Sequence, residues 1–191
     1  MKTWLIGEFN PYGQDPKYAL YPHPENATGA RLARVLNLTP QEYLAAFERR
    51  NLLAQAKWSA PLAKQSADAV LTSVGVDDAL VLLGARVAAA FGLYFRTCLC
   101  TPLVRAVGSA RVLVKVLVIP HPSGLSREWS APGTAQRVRD AFRRLSELRG
   151  VEEPDRVGGD GIVGGQVPLF GGGAGSPGNR FPGGGSSRGG E

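Results

Sequence analysis

The sequence predicts an α/β domain: a short central parallel sheet with helices packed on both faces, in three α/β/α layers. Three observations predict it. Apolar strand-like runs alternate with helical periodicities along the first 150 residues. The strongest runs, Ala79–Leu83 and Val112–Ile119, are apolar at odd and even positions alike, as strands covered on both faces are. From Gly158 onward the pattern stops, and 15 of the last 34 residues are glycine. The domain is therefore expected over residues 1–150. Residues 151–191 are expected to form a disordered Gly-rich tail, because nothing in them offsets the entropy of ordering.

The elements follow in order. Residues 3–6 read as a first buried strand, opening into a loop over residues 7–13. Pro11, Pro16, Pro22 and Pro24 keep residues 10–26 irregular. Residues 27–38 show helical spacing, with Leu32, Val35 and Leu36 inward and Arg31 and Arg34 outward. Thr39, Pro40 and Glu42 fit the N-cap, first and third positions of a helix reaching about Arg50. Asn51-Leu52-Leu53 fits a short strand, and residues 61–74 a helix burying Ala63, Ala67, Val70 and Leu71. Ala79–Leu83 is a strand closed by Gly84, and residues 86–91 a short helix. Val112–Ile119, largely β-branched, is the clearest strand. Residues 134–148 form the last helix, with Val138, Phe142 and Leu145 on one face and a solvated arginine cluster elsewhere.

Charge is uneven. The chain carries +6 in all, but residues 1–150 hold 19 basic against 11 acidic side chains, and the tail is net acidic. A basic globular body suits a polyanionic partner. Cys98 and Cys100, with only two histidines far away, make a poor metal site and read as buried thiols of a reducing compartment. The first residues turn polar too soon for a signal peptide, and no run approaches a membrane span. A soluble, monomeric, cytoplasmic protein is expected, without cofactor, metal or membrane partner.

In parallel sheets, ligands bind where loops leave the carboxyl ends of strands. Two such loops carry chemistry here. The first offers Glu8, Asn10 and Tyr12, fixed by Pro11. The second offers the His121 imidazole, the hydroxyls of Ser123 and Ser126, and bare backbone at Gly124. A glycine beside serine donors can approach a phosphate closely, and an imidazole at a strand end can donate to a developing anion.

Gly7 followed by Asn10-Pro11-Tyr12 resembles the first motif of the uracil-DNA glycosylase superfamily, with one extra residue, Phe9, inserted. His121-Pro122-Ser123-Gly124-Leu125-Ser126 resembles its second motif, with the Ser-Gly-Leu-Ser of the mismatch-specific branch. The resemblance implies a DNA glycosylase that flips uracil, or a related deaminated base, out of DNA and hydrolyses its glycosidic bond. It implies that Asn10 positions the attacking water and that His121 hydrogen-bonds the departing base. Tyr12 would close the pocket, Tyr21 stack on the base and Asn51 read its edge. Leu125 would fill the vacated stack, with Ser123, Gly124 and Ser126 against phosphates. Asn10 stands where the most active branch has a carboxylate, which Glu8 could supply. A non-catalytic DNA- or nucleotide-binding module, or a glycosidase acting on another modified base, remain alternatives. In the tail, Gln166-Val167-Pro168-Leu169-Phe170 looks like the peptide by which bacterial DNA-processing proteins dock on the sliding clamp.

Overall fold

A computed structural model describes residues 2–10, 15–54, 57–75, 77–108 and 112–148. Contacts divide the chain into Met1–Glu153 and Pro154–Glu191, and every described residue lies in the first unit. The tail, with the expected clamp peptide 166–170, lies outside the described residues, as does Tyr12.

The protein is mixed α/β. Among the described residues, five strands, β1 (Thr3–Phe9), β2 (Glu48–Leu53), β3 (Ala79–Leu83), β4 (Leu103–Val107) and β5 (Val112–Ile119), form one sheet in the order β2-β1-β3-β5-β4. The first four in that order run parallel, and β4 closes the far edge antiparallel to β5. Alternation along each strand sends side chains to opposite faces. Ile6, Leu80, Leu82, Val116 and Val118 join one core, beneath α3 (Ala60–Ser73) and α4 (Ala85–Ala90). Leu5, Val81, Leu83, Leu117 and Ile119 join the other, beneath α1 (Thr28–Val35), α2 (Pro40–Ala46) and α7 (Thr134–Glu147). Both faces are therefore covered, which is compatible with the expected three layers. Two single-turn helices, α5 (Phe95–Cys98) and α6 (Arg127–Ser130), stand in the connections.

Local chemistry sets the element ends. At α2, the Thr39 hydroxyl accepts from the Glu42 amide at 3.2 Å and the Glu42 carboxylate accepts from the Thr39 amide at 2.8 Å, a complete capping box. Helix α1 stops at Val35 rather than Leu38 because Asn37 turns left-handed, with φ 56°. The Leu38 amide then donates to the Ala33 carbonyl at 2.9 Å, a Schellman closure.

Several boundaries differ from expectation. The first strand continues through Gly7, Glu8 and Phe9, because Gly7 pairs with Asn51 and Phe9 with Leu53 of β2. Helix α2 stops at Ala46, and Glu48, Arg49 and Arg50 belong to β2 instead of the helix. Strand pairing to β1 outweighs helix continuation there, and an edge strand tolerates the charges. Cys98 lies in α5 and Cys100 just beyond it, at φ 54°, so neither is in a named strand; Cys100 is a free, buried thiol. No helix among the described residues is long and apolar enough to cross a membrane.

Candidate functional site

The carboxyl ends of β1, β3 and β5 lie side by side, and the chain leaves them through Asn10, Gly84 and His121. They open onto a cleft of about 980 Å³ that both sequence-predicted loops line. Asn10, Tyr21, His121, Ser123, Gly124, Leu125 and Ser126 all border it. Residues 111 positions apart in sequence thus meet at one site.

Glycines make the close approaches. At Gly84, φ is +95° and an added β-carbon would stand 3.1 Å from the His121 β-carbon, so a side chain there would be strained and would crowd His121. Its amide donates to the Ile119 carbonyl at 2.9 Å, tying the end of β3 to β5. At Gly7, the Asn51 side chain occupies the place of a β-carbon. Asn51 is thereby pressed against β1 below Asn10. It does not border the main cleft but an adjoining hollow of about 110 Å³, which Asn10 shares. Its Oδ1 is buried with no hydrogen-bond partner among the described residues.

His121 is half-buried, and its imidazole makes no hydrogen bond among the described residues. Burial pulls its pKa below the usual 6.5, and the nearby Glu8 carboxylate pulls the other way. The ring is therefore neutral at neutral pH. Glu8 is turned into the cleft and pairs with Arg86 of α4 at 3.4 Å. The Arg86 guanidinium lies 5.8 Å from the centre of the Trp58 ring.

Tyr21 is held from several sides. Its ring meets Tyr18 edge-on at 5.6 Å, and the Arg49 guanidinium lies 5.8 Å from its centre. The preceding residue, Leu20, sits at φ 49°, and its carbonyl accepts from the buried Tyr43 hydroxyl at 3.1 Å. Tyr43 is wholly buried, which pushes its phenol far above its usual range.

The second loop is compact except at its tip. The Ser123 amide donates to the His121 carbonyl at 2.8 Å and the Ser126 amide to the Ser123 carbonyl at 3.2 Å. The Ser126 hydroxyl caps α6, accepting from the Trp129 amide at 3.1 Å, so it is already engaged. Leu125 is 96% exposed, the most exposed large apolar side chain described.

The cleft's other wall carries no signal in the sequence. Arg86, Phe95 and Arg96, from α4 and α5, line it, as do Tyr18 and Glu128. A lone arginine after Gly84 carries no local signal of facing a site. Among the described residues, no cluster of three or more His, Cys, Asp or Glu side chains could hold a metal ion. A scan against protein-family models and a search of curated proteins return no match to this chain.

Proposed function

We propose that this protein is a DNA glycosylase of the uracil-DNA glycosylase type, which extrudes uracil or a related deaminated base and hydrolyses its bond to the sugar. The observation that carries the reading is Leu125. A leucine 96% exposed at the tip of an otherwise hydrogen-bonded turn, beside a cleft holding Asn10 and His121, has no role in the core. It suits insertion into a base stack, where an apolar wedge offsets the cost of unstacking.

The remaining geometry supports the same chemistry. Hydrolysis of this bond builds positive charge on the sugar and negative charge on the leaving base. A neutral His121, desolvated and without a hydrogen-bond partner among the described residues, can donate a hydrogen bond to that base as it departs. Asn10, buried at the end of β1, can orient water with its carboxamide but cannot remove a proton from it. Tyr21, braced by Tyr18 and Arg49, offers a ring face to a flipped base. Asn51, in the adjoining hollow beside Asn10, offers a buried amide whose Oδ1 has no hydrogen-bond partner among the described residues. Ser123 and Gly124, which border the cleft beside Leu125, would meet the strand that it enters, whereas the Ser126 hydroxyl would reach a phosphate only by sharing its cap.

A second reading, a DNA-binding module of the same architecture without turnover, is favoured by the uncharged Asn10 and by the pairing of Glu8 with Arg86. One assay separates the two. Labelled oligonucleotides carrying a single uracil, single-stranded or opposite guanine or adenine, are incubated with protein and then treated with alkali. Cleavage at uracil that disappears in His121→Ala and Asn10→Ala is expected. DNA binding without cleavage on any substrate overturns the glycosylase reading in favour of the module. If the tail peptide docks on a sliding clamp, deleting residues 166–170 abolishes clamp capture in a pull-down.

A further inference from the structure

At the rim of the cleft, groups able to bind an anion lie beside one another. Residues 123–126 form a turn closed by the Ser126 amide on the Ser123 carbonyl at 3.2 Å. The amides at its centre, Gly124 and Leu125, donate to no acceptor among the described residues. Arg31 of α1 lies against this turn. A β-carbon on Gly124 would stand 3.1 Å from Arg31 Nη2 and 3.3 Å from Nη1. Arg31 Nε donates to the Asn26 carbonyl at 3.0 Å, which fixes the plane of the guanidinium. No carboxylate among the described residues pairs with it. Glu128, the acid of this region, is instead turned to the Ser126 hydroxyl at 3.5 Å.

A guanidinium anchored by one N–H, with its fork unpaired, is suited to a phosphate, which it can grip through two parallel hydrogen bonds. The Gly124 and Leu125 amides beside it, left without an acceptor among the described residues, add donors with no side-chain entropy to lose. Arg34, on the same helix, is a natural contrast. It is exposed, and its side chain donates to the Glu25 carbonyl at 3.5 Å rather than to Asn26.

We propose that Arg31, laid over Gly124, and the amides of Gly124 and Leu125 form a seat for one phosphate group. In the complex with DNA, a part that rests on the glycosylase reading, this group is the phosphodiester beside the nucleotide that Leu125 displaces. The glycine at 124 then has a definite cause: any side chain there would push the guanidinium away from the turn.

Two measurements on the full chain test this. Inorganic phosphate is titrated while the backbone amide and arginine Nε signals are followed by NMR. Saturable shifts are expected at Gly124, Leu125 and Arg31 in the wild type and, for the two amides, in Arg34→Gln. The amide shifts are expected to vanish in Arg31→Gln. No saturable shift in the wild type, or the same amide shifts in Arg31→Gln, overturns the seat. Binding to undamaged duplex is then measured against salt concentration. Losing one phosphate contact lowers the slope of log affinity against log salt by about 0.9, expected for Arg31→Gln and not for Arg34→Gln. Equal slopes in wild type and Arg31→Gln overturn the seat while leaving DNA binding intact. A wild type that takes phosphate at Gly124 but binds no duplex keeps the seat and overturns the DNA reading.

Discussion

Replacing Leu125 with alanine separates work done on DNA from work done in the fold. The side chain is 96% exposed, so its removal takes no apolar surface from the core. Unfolding midpoints of Leu125→Ala and wild type should coincide, within the roughly ±0.5 kcal/mol usual for surface changes. Inserted into a base stack, the same side chain would be buried. Full burial of a leucine is worth roughly 1.5–3 kcal/mol. With tenfold for each 1.4 kcal/mol, truncation should slow single-turnover excision from a uracil-containing duplex roughly 10- to 150-fold. A single strand has no stack to refill, so excision from it should change little. The assay compares both substrates under single-turnover conditions, with thermal melting of the two proteins alongside. Equal losses on single and double strands would refute the wedge. A lowered melting point would refute the premise that Leu125 is outside the core.

The other predictions concern titration and packing. The His121 imidazole should titrate below 6.5 by NMR, and Glu8→Gln should move its midpoint lower still, because the Glu8 carboxylate favours the charged ring. Since the folded state holds this ring neutral, stability from it is intact above pH 6.5. It falls as acid protonates the unfolded chain first; a midpoint above 6.5 would contradict the desolvated placement. Asp78 accepts from the Lys2 amide at 2.6 Å, the Trp4 indole at 3.1 Å and the Gly75 amide at 3.1 Å. Burial alone would raise its pKa, but these bonds outweigh it and hold the carboxyl below the usual 3.8. Its contribution is present above that value and lost as pH falls through the folded pKa. Asp78→Ala, which strands all three donors, should cost about 1–3 kcal/mol in urea unfolding; an unchanged midpoint would show that water replaces the carboxylate. Gly29→Ala should destabilise by about 1–3 kcal/mol. The new β-carbon would stand 2.6 Å from the Tyr21 carbonyl oxygen, and helix propensity alone predicts a gain. A raised melting point would mean that α1 does not pack that close to the Leu20–Tyr21 backbone.

What could be read in the sequence follows from how each element earns its stability. Strands buried on both faces declare themselves by composition, so the bounds that the sequence predicts for β3 and β5 are the observed ones. The capping box at Thr39 and Glu42 was equally plain, because it is local. Strand β2 was half hidden: its exposed, charged first half reads as helix, and only pairing with β1 makes it a strand. Strand β4, an edge strand with exposed Val104, was not anticipated for the same reason. Gly7 looked like the start of a loop, yet it lies within β1, because a glycine there makes room for Asn51. At the site, the two loops were legible as motifs, and the structure brings Asn10, Tyr21, His121 and residues 123–126 to one cleft. The arginines of the far wall were not, since their positions depend on α4 and α5 packing across the sheet. The arrangement of Arg31 over Gly124 was hidden likewise, because outward spacing on a helix says nothing of which loop it meets.

Gly84 has a consequence for what the cleft can admit. Asn10 and His121 leave strands that are not neighbours; β3 runs between them and leads into Gly84, a residue with no side chain. The gap between the two arms is thus two inter-strand steps, roughly 10 Å at the usual spacing near 4.8 Å. It is floored by main chain. Its span is a ruler cut by hydrogen bonding, and repacking either core leaves the graduation unchanged. Substitutions beneath the sheet can make the protein melt sooner, but the width offered to a ligand shifts only when a ladder between strands breaks.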